Sequence, residues 1–488
     1  MIGSHRLPCE TPHAAAPKEA SSRDHKWVLP ATILGSSLGF IDGSVVNVAL
    51  PAIQASLQSS LATMQWVANG YMLMLAGLIL LGGSAGDHFG RKRMFIVGLV
   101  GFAIASAACG LAPSAAWLIA ARHVQGIAAA LLTPASLAII SAAYHGKERG
   151  RAIGTWAAAG ALTTALGPPL GGWLVDTVGW RSIFFINVPV AILAWLLALK
   201  LPADSKRDSA EPLDVRGAVL AVLALGLLSY GLIALGEGNR APGAIAIVAA
   251  IPAGGLFILA ELRSAHPMVP LSLFRNRNFA AVNGLTVLLY AALSGVVFLL
   301  PFMLIQAHGF SATAAGAAFL PFSVIMGGGS RWAGGLVEKI GPRLPLIVGP
   351  ALTAAGFAIL GLSSGNPSYW TGLLPGLVVV GIGMTLAIPP LTTTVFDSAP
   401  DDISGTASGI NNAAARGGGM VAVAALGLAF GGSDLSAVDP ASLADAYRWV
   451  MFAATALAGL SAAIAAWAIV SRKDNETAQT PATAKAAH

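Results

Sequence analysis

The chain has 488 residues, 56% of them hydrophobic and 10% charged, with a mean hydropathy of +0.73 and a formal charge of +6. A soluble globular protein carries about 25% charged residues, so the composition excludes a water-soluble fold for the bulk of the chain and places most of it in lipid. The positive balance does not point to nucleic acid, because the bases are spread over loops beside apolar runs and form no single basic face.

Residues 1–26 are polar and Ala/Pro-rich, lack the basic-then-apolar order of a cleaved signal peptide, and are expected to form a disordered cytoplasmic tail. A membrane span needs about 20 mostly apolar residues. Such runs near 28–50, 64–84, 94–112, 115–140, 150–174 and 182–201 predict a six-helix bundle within 27–201. Polar residues 202–214 read as a cytoplasmic connection, runs near 215–235 and 242–262 as two inserted helices (215–262), and 263–278 as a cytoplasmic loop. Runs near 280–305, 313–336, 344–363, 369–395, 405–430 and 447–471 predict a second six-helix bundle within 279–473, followed by a disordered cytoplasmic tail at 474–488. The expected total is fourteen transmembrane helices in an all-α membrane fold. One set of alternate loops holds Arg91, Lys92, Arg93, Lys147, Arg149 and twelve further bases from Arg151 to Lys473, with Lys339 and Arg343 among them. The opposite set holds only Arg181, Arg240 and Arg448. Short cytoplasmic loops collect Lys and Arg, so both termini are expected in the cytoplasm.

The second bundle repeats the first. Gly83-Ser84-Ala85-Gly86-Asp87-His88-Phe89-Gly90-Arg91-Lys92-Arg93 recurs in eroded form as Gly334-Gly335-Leu336-Val337-Glu338-Lys339-Ile340-Gly341-Pro342-Arg343, with an acid, a glycine and a base at one spacing. Gly150-Arg151-Ala152-Ile153-Gly154 matches Gly405-Thr406-Ala407-Ser408-Gly409 at nearly the same offset. Duplicated membrane bundles hold a substrate site between their halves near mid-membrane, which is the frame of a transporter.

No cofactor or metal is called for. Cys9 and Cys109 show no ligand spacing, the nine histidines are scattered, and neither H-E-x-x-H nor a Walker-type phosphate loop occurs. A nucleotide-driven pump and a membrane-embedded enzyme are therefore disfavoured, the latter because no cluster of nucleophile, base or metal groups converges in the bundle. The expected partners are the lipid bilayer, protons and a small-molecule substrate, with no nucleic acid, and the protein is expected to be a monomer.

Ile41-Asp42-Gly43-Ser44-Val45-Val46-Asn47-Val48-Ala49-Leu50-Pro51, Gln65-Trp66-Val67-Ala68-Asn69-Gly70-Tyr71, the Asp87 loop, Arg122-His123-Val124-Gln125-Gly126, Gly167-Pro168-Pro169-Leu170-Gly171-Gly172 and Gly179-Trp180-Arg181-Ser182 follow one another on successive helices. In that order they resemble the major facilitator superfamily and, more narrowly, its fourteen-helix drug:proton antiporters. Ser44, Ala85, His88 and Thr163 depart from the family's usual residues. The resemblance implies two pseudo-symmetric six-helix bundles that rock about a central site and export amphiphilic compounds in exchange for protons. It also implies a part in proton coupling for Arg122 and a conformational latch in the Asp87 loop. Rival readings of the same fold are a metabolite exporter or importer; a non-transporting sensor is more remote.

Intramembrane charge costs about 2.5–3.5 kcal/mol per residue on insertion scales, so each such residue is a candidate for function. Asp42 is the one deep acid, roughly level with Arg122, and together they form the candidate proton-coupling pair; this reading requires the carboxyl to look into a water-accessible central vestibule. Its alternative is a static buried ion pair. Asp87, Gly90, Arg91 and Arg93, with Glu338 and Arg343 as a weaker counterpart, form the candidate latch, set against a solvated turn whose charges serve topology alone. Gly167, Pro168, Pro169, Gly171 and Gly172 predict a tight, bendable seam in helix 5, or plain close packing. Arg416 lies deep in helix 13, where no second-half helix core holds an acid, so its partner is backbone, amide, water or substrate. Gln125, Arg416, Asn411, Tyr290 and Gln306 are the candidate substrate contacts. With one acid against Arg122 and Arg416 the cavity is not strongly negative, which disfavours a doubly cationic cargo.

Overall fold

The computed structural model describes residues 26–202, 204, 212–400, 403–430 and 440–469. Both expected tails and most of the 202–214 connection lie outside these residues, as do the side chains of Arg331 and Glu338. The first six helical rods are α1 (Val28–Leu57), α2 (Leu61–Phe89), α3 (Arg91–Gly110), α4 (Ala115–Ala143), α5 (Gly146–Thr177) and α6 (Ser182–Ala198, broken at Ile186). The inserted pair is α7 (Val215–Gly236) and α8 (Arg240–Arg263). The last six rods are α9 (Arg277–Phe302, continued by a π-turn at Met303–Ala307), α10 (Ala312–Ala317 and Leu320–Ile340), α11 (Arg343–Leu362), α12 (Leu374–Asp397), α13 (Ser404–Ala425) and α14 (Pro440–Ala468).

Twelve helices among the described residues are long and apolar enough to cross a membrane. The two that fall short of the fourteen expected spans are α5, diluted by charges in its first turn and by Thr, Gly and Pro along its length, and the short α6. Starts are fixed by local chemistry: Ser60, Ser114, Asp214 and Ser311 each accept a backbone N–H from the first turn of the helix that follows. Both copies of the repeated loop turn on a glycine with positive φ, 103° at Gly90 and 77° at Gly341, a conformation that side chains disfavour.

Packing repeats with the sequence. In the first six, α1 packs on α4, α5 and α6, α2 packs on α4, and α3 packs on α4 and α6. Each pairing recurs eight helices later: α9 on α12, α13 and α14, α10 on α12, and α11 on α12 and α14. The halves meet where α2 lies on α13 and α5 on α10, with α1 against α9 between them. Helix α7 packs on both α2 and α13 and so covers one of these two seams, while α8 packs on α7.

Candidate functional site

Asp42 sits midway along α1 and is 1% exposed. Its Oδ2 accepts a hydrogen bond from Nη1 of Arg122 at 2.5 Å; its Oδ1 accepts from Nε2 of Gln125 at 2.9 Å and from Nδ2 of Asn187 on α6 at 3.4 Å. Arg122 and Gln125 stand three residues apart, on one face of α4, which is why both reach the acid. The guanidinium also donates to Oε1 of Gln125 at 2.8 Å and to the Val67 carbonyl at 3.1 Å, and lies 4.4 Å from the Tyr71 ring centroid. Ser106 on α3 accepts from Asn187 and Gln125 and donates to the Phe184 carbonyl, closing the shell. Every donor to Asp42 is an N–H, so the shell is built for the ionised carboxylate. Its buried charge is tolerated because it is paired and saturated with hydrogen bonds.

The pairing of Asp42 with Arg122 follows the sequence expectation; its setting does not. Asp42 was expected to face a water-accessible vestibule, yet α3, α4 and α6 wall it in within the first bundle, because Ser106 and Asn187 fold over it. Gln125, expected at the substrate, is fully buried and spends its amide on Asp42, Ser106 and Arg122.

Arg416 lies on the seam between the halves. Asn69 donates to the Met420 carbonyl at 3.2 Å and Gly409 abuts Leu80, an antiparallel register that brings Arg416 level with residues 71–74 of α2, near the middle of that helix. On its other side, Gly418 and Gly419 let α13 touch α9 beside Val287 and Tyr290. Arg416 is partly buried, close to the level of Tyr71 on α2 and to that of Tyr290, whose carbonyl lies beside Gly419. Among the described residues it has no hydrogen-bond or ion-pair partner. Tyr290 therefore remains beside the candidate site. Asn411 does not: its amide donates to Oδ1 of Asn283 at 3.1 Å and to Oγ1 of Thr286 at 2.8 Å, making it a strut between α13 and α9. Gln306 is also removed, because its Nε2 donates to Oε1 of Gln54 at 3.0 Å near the ends of α1 and α9, far from mid-membrane.

In the Asp87 loop, Arg91 closes on Asp87 at 2.7 Å across Gly90 and donates to the Ala138 carbonyl at 3.2 Å, both within the first half. The backbone N–H groups of Lys92 and Arg93 donate to the Asp204 carboxylate at 2.8 and 3.2 Å, and Nζ of Lys92 bonds the carbonyls of Leu199 and Leu201. Asp204 thus caps α3 from the connection between halves, a role that sequence reasoning missed. Arg343 donates to the Ala466 carbonyl near the end of α14; its expected partner Glu338 lies outside the described side chains.

The α5 glycines divide between two neighbours. A side chain at Gly167 or Gly171 would strike Ser44 or Val45 of α1, while one at Gly172 would strike the backbone of Ala312 and Thr313 on α10. The Pro168 carbonyl abuts Gly316 across the same inter-half contact. At the end of α5, Asp176 accepts from the N–H groups of Ala312 and Thr313 at 3.1 and 2.7 Å and from the Thr313 hydroxyl at 2.6 Å, capping α10 from the opposite half. The sequence signal was the Ser311 N-cap, which marks a helix start needing acceptors. With Gln54–Gln306, Gln65 to the Val423 carbonyl at 2.6 Å and Asn69–Met420, these bonds join the halves at the end away from the basic loops, or between it and mid-membrane.

Residues 32–423 match the family model described as Major Facilitator Superfamily. The chain belongs to that superfamily. Relatives place it in the drug-efflux branch. It is 36% identical to the tetracenomycin C resistance and export protein of Streptomyces glaucescens over 87% of this chain and 79% of the relative, and 34% identical to the methylenomycin A resistance protein of Bacillus subtilis over 84% and 89%. The superfamily fold is shared with a bacterial homologue of the human lysosomal transporter Spinster in an inward-facing conformation, at TM-score 0.66 and 19% identity, covering 92% of this chain and 98% of that one. As a major facilitator protein the chain is a multi-pass membrane transporter and not an enzyme.

Proposed function

We propose that the protein exports small amphiphilic compounds in exchange for protons by alternating access, with Asp42 and Arg122 as the proton-coupling pair. The observation that carries the reading is the Asp42 shell: a mid-membrane carboxylate held by two side-chain amides and one guanidinium, inside a bundle that meets its counterpart along two seams. A proton arriving on Asp42 removes the charge that holds Arg122 and turns one oxygen from acceptor into donor, so the shell must rearrange. Because the shell is sealed here, proton loading belongs to a second state, in which the bonds at the far end of the molecule are broken. Ligand and proton then favour different conformations, which is the requirement for coupling. One charge crossing 100 mV supplies about 2.3 kcal/mol. The Asp87–Arg91 loop and its Asp204 cap are the proposed cytoplasmic latch, and the glycines of α5 the seam that must slide. The proposed setting is the cytoplasmic membrane with both termini in the cytoplasm, an orientation that the basic loops support, with the proton gradient as driving force and a monomer as the working unit.

The relatives named for resistance to tetracenomycin C and methylenomycin A supply the probes. Proteoliposomes carrying the protein, given either compound and an imposed pH gradient, are expected to accumulate it. Asp42→Asn protein that inserts normally is expected to lose the gradient-driven part of the flux; full flux in that variant removes the proton site.

A further inference from the structure

We propose that Arg416, flanked by Tyr71 and Tyr290 on the seam between the halves, is a binding site for the anionic group of an aromatic amphiphile, and that the transporter therefore prefers anionic cargo to cationic cargo.

Two charges stand at mid-membrane in the first half and one in the second, and the structure accounts for them differently. Asp42 is consumed by Arg122, Gln125 and Asn187. Both its oxygens are engaged, and it is enclosed within the first bundle. No carboxylate reaches Arg416 among the described residues, and the nearest polar amides are spent elsewhere: Asn411 bonds Asn283 and Thr286, and Asn412 bonds the Ser408 carbonyl. A guanidinium left without a counter-charge in a membrane protein is expensive, and such residues mark ligand pathways.

Its planar fork of donors matches a carboxylate, phenolate, sulfonate or phosphate with two parallel bonds. Arg416 lies on α13 between α2 of the first half and α9 of its own, so a ligand there sits at the contact of the two bundles, and the half-buried Tyr290 on α9 offers a ring and a hydroxyl suited to an aromatic body that carries oxygen atoms. Tyr71 also stacks on Arg122, so the ligand's charge is felt one residue away from the Asp42 pair. A cationic ligand at the same place meets a bare guanidinium and no acid to offset it.

The inference rests on the transport reading, and the two fail separately: binding is measured here with no gradient and with Asp42 intact, whereas Asp42→Asn flux measures coupling. The full chain in lipid nanodiscs is titrated with pyrenesulfonate and with pyrenemethylammonium, which share a ring system and differ in sign, against empty nanodiscs as the blank. Wild type is expected to bind the sulfonate about tenfold more tightly than the ammonium, and Arg416→Gln to bring the ratio close to one. Wild-type protein that binds the two alike, prefers the ammonium or binds neither overturns the proposal, as does an unchanged ratio in Arg416→Gln. Should that variant fail to insert, Arg416→Lys carries the test, because it keeps the charge and loses the fork: sulfonate affinity is expected to fall about threefold with the ammonium unaffected, and no fall overturns the assignment.

Discussion

Asp42 and Arg416 stand at similar depth in the two halves, and the protein treats them in opposite ways. The first half surrounds its charge with α3, α4 and α6, supplies a counter-ion, and gives each oxygen at least one hydrogen bond. The second half leaves its charge on the seam, near two tyrosines and, among the described residues, without a hydrogen-bond or ion-pair partner. A buried charge with a complete shell is a stable part of the fold that can be disturbed by one proton. A half-buried charge without one is a deficit that a ligand fills.

That contrast predicts mutational effects of opposite sign. The largest belongs to Asp42→Asn: it strands Arg122 without a counter-charge, at a cost of about 3–5 kcal/mol, and should lower the melting temperature of the purified protein substantially; an unchanged melt would break the description of the shell. Arg416→Met should act the other way, stabilising by about 2 kcal/mol because it removes an unpaired charge from the membrane interior. A loss of stability there would mean that Arg416 has a structural partner. Asp176→Asn weakens the cap that α5 places on α10 by about 1 kcal/mol, and spin labels on the far ends of α1 and α9 should report a larger share of separated halves. The smallest effect is expected from Asn411→Ala: about 1 kcal/mol or less from lost amide bonds to α9, with the preference between anionic and cationic probes unmoved, unlike that of the Arg416 variants.

The helical plan and its repeat were legible because membrane burial leaves few ways to write a span, and because the repeated loop keeps its turning glycine at Gly90 and Gly341. The pairing of Asp42 with Arg122 was legible for a related reason: a single deep acid has few partners to choose from. What sequence could not supply was the state of the amides. Gln125, Asn411 and Gln306 look alike as polar residues in or beside apolar runs, and only packing shows that each already spends its donors on Asp42, on α9 or on Gln54. Asn187 and Ser106, which seal Asp42, depend on α6 packing on both α1 and α3, a contact between segments far apart in the chain. Asp176 and Asp204 escaped notice because an acid at a membrane edge costs little and so draws no attention until its helix N-terminus comes into view.

The inserted pair makes the molecule lopsided. Helix α7 lies over the groove between α2 and α13, where its Val222 fills the space beside Gly77 and its Gly236 touches Gly427, while the pseudo-symmetric groove between α5 and α10 has no such cover. Among the described residues, then, one seam is shielded by an additional helix, while the other is closed by α5 and α10 alone, backbone against backbone at Gly172, Pro168 and Gly316.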